Sequence, residues 1–282
     1  MELISVQDFE KVSSVFQGKV GNSFARFLLR QFAIDKINQL YENNEQYSGG
    51  VFAEHVLQDL GVNYKIGYAE RLQNLPEGAF ITISNHPYGS IDGVILVDLF
   101  SKICTNYKVI VNKFLSRIEA MSSSFICVNP NGNEKAAATR DSIIGIKQTL
   151  EHISAGYPIG LFPSGAVSDL SLKEMRIRDR AWQEGIIKVI HKANVPILPV
   201  RFFDRNSHFY YNLGMIDWKV RILRLPREVF NKAGKNVRIG VGKLISPDDI
   251  NMSKGIESVT EFLRNSVYNM PIPEKFLLRS DL

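Results

Sequence analysis

The chain has 282 residues, of which 45% are apolar and 22% charged, the balance of an ordinary globular protein and not of a disordered, collagen-like or coiled-coil chain. At roughly 150 residues per domain this length means one or two domains, with a single large α/β unit also allowed. The 34 basic and 29 acidic residues leave a net charge of +5, which favours anionic partners without choosing among phosphates, acidic lipids and nucleic acid.

The N-terminus, MELISVQDFEKVSS, lacks a basic stretch followed by an apolar run, so no secretory signal is read there and a cytoplasmic address is expected. Residues 22–44 place Phe24, Phe27, Leu28, Phe32, Ile37, Leu40 and Tyr41 at steps of three and four, which predicts an amphipathic helix capped by Asn22. A second helix is expected from Val51 to Leu60, stopping at Gly61. From Tyr64 onward short β-branched runs alternate with helical segments. Strands are predicted at Ala79–Ser84, Lys108–Asn112, Phe125–Val128, Pro158–Phe162, Pro196–Phe203 and Val237–Ile245. Helices are predicted at Ser90–Ile103, Glu134–Ala155, Arg180–Lys192 and Pro247–Tyr268.

This alternation predicts an α/β fold with a mostly parallel mixed sheet covered by helices on both faces, plus an N-terminal helical addition. Residues 1–63 are read as that helical region and 64–282 as the α/β domain, the two forming one structural unit. The longest apolar runs, such as Gly93–Val97 and Asn194–Val200, fall well short of a bilayer span. Cys104 and Cys127 lie in apolar segments without metal-type spacing and read as reduced, buried thiols. No complete P-loop, GxGxxG, HExxH or EF-hand pattern is present, so no metal or nucleotide cofactor is expected.

In an open α/β sheet ligands bind beyond the carboxyl ends of strands, which draws attention to three places. After Ala79–Ser84 comes Asn85-His-Pro-Tyr-Gly-Ser-Ile-Asp92, with Asp92 in the first turn of the next helix, where backbone amides favour a carboxylate by ~0.3–1 kcal/mol. A carboxylate accepting the Nδ1 proton of His86 would leave Nε2 free to act as a general base; a turn histidine beside a helix-start carboxylate is the other reading. After Pro158–Phe162 comes Pro163-Ser164-Gly165, either a cradle for a phosphate or carbonyl oxygen or an ordinary tight turn. Ser164 does not fit a nucleophile elbow, because Phe162 stands where its first glycine must be. The third place, Asn194–Val200 leading into Arg201, reads as a core strand.

In order, NHPYGSIDG, SFICVNP, GLFPSGAVS and VPILPV resemble the four-block pattern of the glycerol-phosphate and lysophosphatidate acyltransferase superfamily, over about residues 79–203. Two features depart from it. Five residues, not four, separate His86 from Asp92, an excess that flexible Gly89 can absorb, and Ser164 and Val167 replace the usual glutamate and arginine of the third block. The variant blocks look more like the haemolysin-like branch, which includes enzymes making amino-acid-containing lipids.

The resemblance implies an acyltransferase. His86 would deprotonate a hydroxyl or amine on a lysophospholipid-type or amino-acid-based acceptor, which attacks an acyl-ACP or acyl-CoA thioester, and Asp92 would hold His86. Asn85, Gly89, Ser90, Phe162, Pro163, Ser164 and Gly165 would line the substrate site, with Lys113, Arg176 or Arg178 supplying positive charge. The partners implied are acyl carrier protein or coenzyme A as thioester, and a lipid acceptor. A catalytically inactive lipid- or acyl-binding protein is the alternative.

Residues 201–230 hold six basic residues (201, 205, 219, 221, 224, 227) among seven aromatics (Phe202, Phe203, Phe209, Tyr210, Tyr211, Trp218, Phe230), a composition suited either to peripheral contact with an anionic membrane or to a core with solvated arginines. Such contact would place the protein on the inner face of the cell membrane. Nucleic acid is not expected as a partner, since no RNP-like or helix-turn-helix sequence is present.

Overall fold

The computed structural model describes residues 3, 5, 7, 17–129, 140–172, 175–250 and 252–282. The chain between 22 and 44 forms two helices and not one. Helix α1 (Gly18–Gln31) and helix α2 (Ile34–Glu42) are separated by Ala33, which is left-handed at φ 55°. The break lets Ile34 and Tyr41 turn into the core while Phe24 and Phe27 of the same apolar stripe stay exposed. Because α1 already starts at Gly18, Asn22 lies inside it and caps nothing. Helix α3 (Gly49–Asp59) follows, close to its predicted place.

The next elements are β1 (Asn63–Gly67), β2 (Ile81–Ser84), α4 (Ile91–Ile103), β3 (Lys108–Asn112), β4 (Phe125–Val128), α5 (Arg140–Ser154) and β5 (Ile159–Leu161). Then come β6 (Asp169–Ser171), β7 (Arg176–Arg178), α6 (Glu184–Ala193), β8 (Ile197–Phe202), α7 (His208–Ile216), α8 (Trp218–Leu223) and α9 (Leu225–Phe230). The chain closes with β9 (Asn236–Val241), α10 (Ile256–Tyr268) and β10 (Phe276–Leu278). Residues 134–139 of the helix expected at Glu134–Ala155 lie outside the described residues. The helix expected at Pro247–Tyr268 is two short 3-10 turns and then α10, because Gly255 interrupts it at φ 86°.

Among the described residues, eight strands make one sheet in the order β10-β1-β9-β8-β2-β5-β3-β4. Strands β8, β2, β5, β3 and β4 run parallel, β9 turns antiparallel to β8, and β1 runs parallel to β9. The sheet is therefore mixed and mostly parallel, as expected. One face carries α3 and α4 through Phe52, Leu57, Ile95 and Phe100; the other carries α5, α6 and α10 through Ile153, Ile187 and Leu263. Alternation along β8 sends Leu198, Val200 and Phe202 to the first face and Ile197 to the second, as the two-residue period of a strand requires.

Gly50 lets α3 approach α4, since a Cβ there would come within 2.0 Å of Ser101 Oγ. Strand β2 is buried along its whole length between β5 and β8, and its carboxyl end opens where the connections leave in opposite directions.

Strands β1, β6, β7 and β10 and helices α7 to α9 were not read from the sequence. The C-terminal strand is held from outside the hydrophobic pattern: Asp98, with no exposure, accepts from Arg279 Nε at 2.5 Å and Nη2 at 2.7 Å and from the Tyr64 hydroxyl at 2.7 Å. Removing one partner of a buried pair leaves an uncompensated charge. Arg279→Met is therefore expected to lower unfolding stability in urea by about 3–5 kcal/mol, and Asp98→Asn in the same chain to recover much of that loss.

Candidate active site

The turn after β2 is built around one carboxylate. Asp92, in the first turn of α4, is completely buried and accepts from Tyr88 N at 3.1 Å and Gly89 N at 3.0 Å. Its Oδ2 also lies 2.5 Å from His86 Nδ1, whose side chain is 17% exposed. The two atoms are in close contact, though without the direction of an ideal hydrogen bond. The imidazole also packs on Phe162, ring centre to ring centre 4.2 Å at 30°, so Asp92 and Phe162 fix it from two sides. With Nδ1 engaged, Nε2 is the nitrogen available to a substrate.

The extra residue between His86 and Asp92 is taken up at Gly89, which is left-handed at φ 79° and so close to its surroundings that a Cβ would meet Val167 Cγ2 at 2.4 Å. The histidine and aspartate come together despite the longer interval.

The backbone of His86 is held as firmly as its ring. Asp179 Oδ1 accepts from His86 N at 3.2 Å and from Ser168 Oγ at 2.5 Å, while Ser168 N donates to His86 O at 2.9 Å. Burial pushes the Asp179 carboxyl up, and the Ser168 and His86 donors pull it back only in part. No local motif marks Asp179; it enters the site because β7 delivers it there.

A family model described as Acyltransferase matches residues 9–272. The chain belongs to this acyltransferase family. It is 25% identical over 279 residues to the lyso-glycine lipid O-acyltransferase of Phocaeicola vulgatus, covering 93% of this chain and 94% of that one. It is 26% identical over 244 residues to the enzyme of the same name from Bacteroides thetaiotaomicron, covering 84% and 85%. Its fold is similar to the crystal structure of the 1-acyl-sn-glycerophosphate acyltransferase PlsC from Thermotoga maritima, with TM-score 0.50, 14% identity and 95% of each chain covered.

Within this acyltransferase the other predicted site residues separate. Asn85 does not face a ligand: its amide donates to Phe202 O at 2.9 Å and accepts from Phe202 N at 2.8 Å, clamping β2 to β8. Gly89 and Ser90 stay in the turn, both partly exposed. Pro163 and Ser164 are buried, and the cradle expected at Ser164–Gly165 is turned inward. Ser164 Oγ donates to Ala166 O at 2.8 Å and Gly165 N to Phe162 O at 2.9 Å.

Gly165, at φ 63°, leaves room for Gln183, whose Nε2 would otherwise stand 2.1 Å from a Cβ. Arg176 is exposed on the β6–β7 hairpin, and Arg178 lies over the Tyr268 ring at 4.9 Å. Lys113 is exposed beyond β3, near enough to Cys127 for its charge to oppose the upward push of burial on that thiol. Both cysteines are free and half-buried, and burial raises the Cys104 thiol to about 11.

The aromatic and basic segment 201–230, whose composition suited either a membrane surface or a core, forms the outer wall of the turn. Asn206 Nδ2 donates to Tyr88 O at 3.1 Å and the Tyr211 hydroxyl to Pro87 O at 3.1 Å. Phe202, Tyr210 and Tyr211 are buried, whereas Phe209 and Trp218 are 54% exposed. Arg201 is tied to Met270 O and Arg221 to Asp169, so two of the six basic residues face inward. Sequence order gave no signal for these contacts, which join positions far apart along the chain, up to 124 residues for Tyr211 and Pro87.

Buried Glu228 anchors this wall by accepting from Ser207 N at 3.0 Å, Ser207 Oγ at 2.7 Å and Lys232 Nζ at 3.5 Å. Burial alone would raise its carboxyl, but these donors outweigh burial and the net shift is below the ordinary 4.5. A depressed carboxylate adds stability above its unfolded value, and that stability is lost as pH falls through the folded one. Glu228→Gln should flatten the acid limb of a stability–pH curve below about pH 4.5, measured by denaturant unfolding; an unchanged limb would contradict the assignment.

Proposed function

We propose that the protein transfers a fatty acyl chain from a thioester, acyl-ACP or acyl-CoA, to a hydroxyl of an amino-acid-based lyso-lipid, with His86 as general base. The observation that supports this reading most directly is the 2.5 Å approach of His86 Nδ1 to a carboxylate with no solvent exposure. Asp92 cannot drift, because two backbone amides hold it, and so the imidazole keeps one tautomer.

The acceptor O–H gives its proton to Nε2 as the oxygen attacks the thioester carbonyl. The tetrahedral intermediate then expels the thiolate, which takes that proton from the imidazolium, leaving an ester, a thiol and neutral His86. In this reading the thioester is a co-substrate, and no resident cofactor enters the chemistry. The amino-acid-lipid acceptor is preferred because lyso-glycine lipid O-acyltransferases are the relatives that align along nearly the whole chain.

The reading includes peripheral membrane contact. Among the described residues no helix is long and apolar enough to cross a membrane. Helices α7 and α8 nevertheless leave Phe209, Met215, Ile216, Trp218, Ile222 and Leu223 exposed, and Arg205, just ahead of α7 in the chain, is exposed as well. Apolar and aromatic side chains enter the headgroup layer while nearby cations meet anionic lipid.

Incubation with an acyl-thioester panel and lyso-amino-lipids, read by free thiol and product mass, should show acceptor-dependent turnover. His86→Ala should lower it by about 10²-fold or more, and Asp92→Asn should also lower it strongly. Thioester or lipid binding without turnover would favour the inactive binding protein instead. Separately, Ile216→Asp with Trp218→Asp should reduce sedimentation with vesicles containing anionic lipid while leaving the far-ultraviolet circular dichroism unchanged.

A further inference from the structure

We propose that Arg221 of α8 and Tyr210 of α7 receive a carboxylate carried by the headgroup of the acyl acceptor. The inference rests on the acyl-transfer reading above and names the substrate feature that the site selects.

Arg221 is 3% exposed, pairs through Nη1 with Asp169 Oδ1 at 2.5 Å, and donates from the same nitrogen to Ser168 O at 3.4 Å. Its Nε is buried without an acceptor, and so is the hydroxyl of Tyr210. Donors left unmatched in a buried place cost free energy, so two of them on neighbouring side chains call for a purpose. The guanidinium lies over the Tyr210 ring, 5.4 Å from its centre, so the two side chains that carry these donors are direct neighbours. What both lack is an acceptor. With Nη1 held by Asp169, the Nε–Nη2 edge is the side of the fork left for a second oxyanion.

The charges agree. Asp169 is shared, since Arg180 Nη2 also approaches its Oδ2 at 3.7 Å, so two guanidiniums face one carboxylate and one positive charge is left over. Glu228, the next acid along this wall, is matched by Lys232. A carboxylate supplies one negative charge; a dianionic phosphate would leave an excess in a closed place.

The location also fits. Arg221 bonds the carbonyl of Ser168, whose own N–H bonds the carbonyl of His86, and the Tyr210 phenol is within electrostatic reach of Arg221, Asp169, Glu228 and, more weakly, Asp92. Gly214 makes room: a Cβ there would stand 2.8 Å from Arg221 Cδ and 3.3 Å from Nε. The inward side of α7 and α8 thus carries a cation and a phenol, while their outward side carries exposed Phe209, Met215, Ile216, Trp218 and Leu223. An amphiphile lying across these helices meets apolar surface with its chains and positive charge with its headgroup. The donors of the Ser164–Gly165 turn do not compete, since they are satisfied within the turn.

The test compares hydroxyl-bearing lyso-lipids with an N-acylated amino-acid headgroup, as free acid and as primary carboxamide, together with lysophosphatidate. Wild-type kcat/KM should favour the free acid over the amide by about tenfold, and Tyr210→Phe and Arg221→Gln should each bring that ratio toward one through KM. Tyr210→Phe removes one hydroxyl and keeps the ring, so it carries the test if Arg221→Gln fails to fold.

Equal turnover of acid and amide by the wild type, or an unchanged ratio in a folded variant, would overturn the proposal. Faster turnover of lysophosphatidate with the same dependence on Arg221 would overturn the carboxylate assignment. If no acceptor is turned over, the acyl-transfer reading fails, and calorimetric titration with the same acid and amide decides this one. Preferential binding of the acid, weakened by Tyr210→Phe, supports it, and equal binding refutes it.

Discussion

A single buried carboxylate organises the end of the sheet where chemistry can occur. Asp92 has no exposure, yet two successive backbone amides donate to it and the His86 Nδ1 lies against its Oδ2. A carboxylate so enclosed is tolerable because these groups replace its water, assisted by its place in the first turn of α4. The same bonds close the segment from His86 to Asp92 into a loop of one shape. Gly89 is the residue that can adopt the left-handed backbone there without meeting Val167. The catalytic histidine of the proposed reaction is thus oriented by the burial of a helix start.

Around this loop the protein builds polar support on the inside and leaves apolar surface on the outside. Asp179 and Ser168 hold the backbone of His86, Asn85 locks β2 to β8, and Asn206 and Tyr211 hold the turn from the far wall. Glu228, Lys232, Arg221 and Asp169 place charges in that wall at positions that are nearly closed to water. Buried groups of this kind cost free energy unless matched, and most are matched. Among those that are not, Arg221 Nε and the Tyr210 hydroxyl belong to neighbouring side chains of the same wall. Outward, the same helices expose large apolar side chains. In the proposed reading, this polarity gradient across two short helices is what would serve an acyltransferase meeting amphiphilic substrates at a membrane surface.

Much of the framework could be read from local pattern. Strands β2, β3, β4, β5, β8 and β9 are runs whose β-branched content announces them, and α4 follows from the apolar positions around Asp92 and Asp98. The His86–Asp92 pairing was legible because both partners lie within one turn. Three-residue strands such as β6, β7 and β10 carry too little pattern to stand out, and β10 depends on pairing with β1 over two hundred residues away. The single helix expected at 22–44 became two, since periodicity records which residues are apolar and not which way each face will turn.

The sequence by itself determined the alternation that makes an α/β sheet, the histidine and aspartate beside its central strand, and a composition suited to anionic and apolar partners. Tertiary structure decided which polar residues gather around the His86 turn and which bind the chain to itself elsewhere. Asn85 and Ser164 proved to be internal fastenings, while Asp179 and Arg221 joined the site from 93 and 135 positions beyond His86. The reason is physical: hydrogen-bond partners of a buried polar group are fixed by distance and direction in space, and local spacing along a chain carries neither once the strands have crossed over.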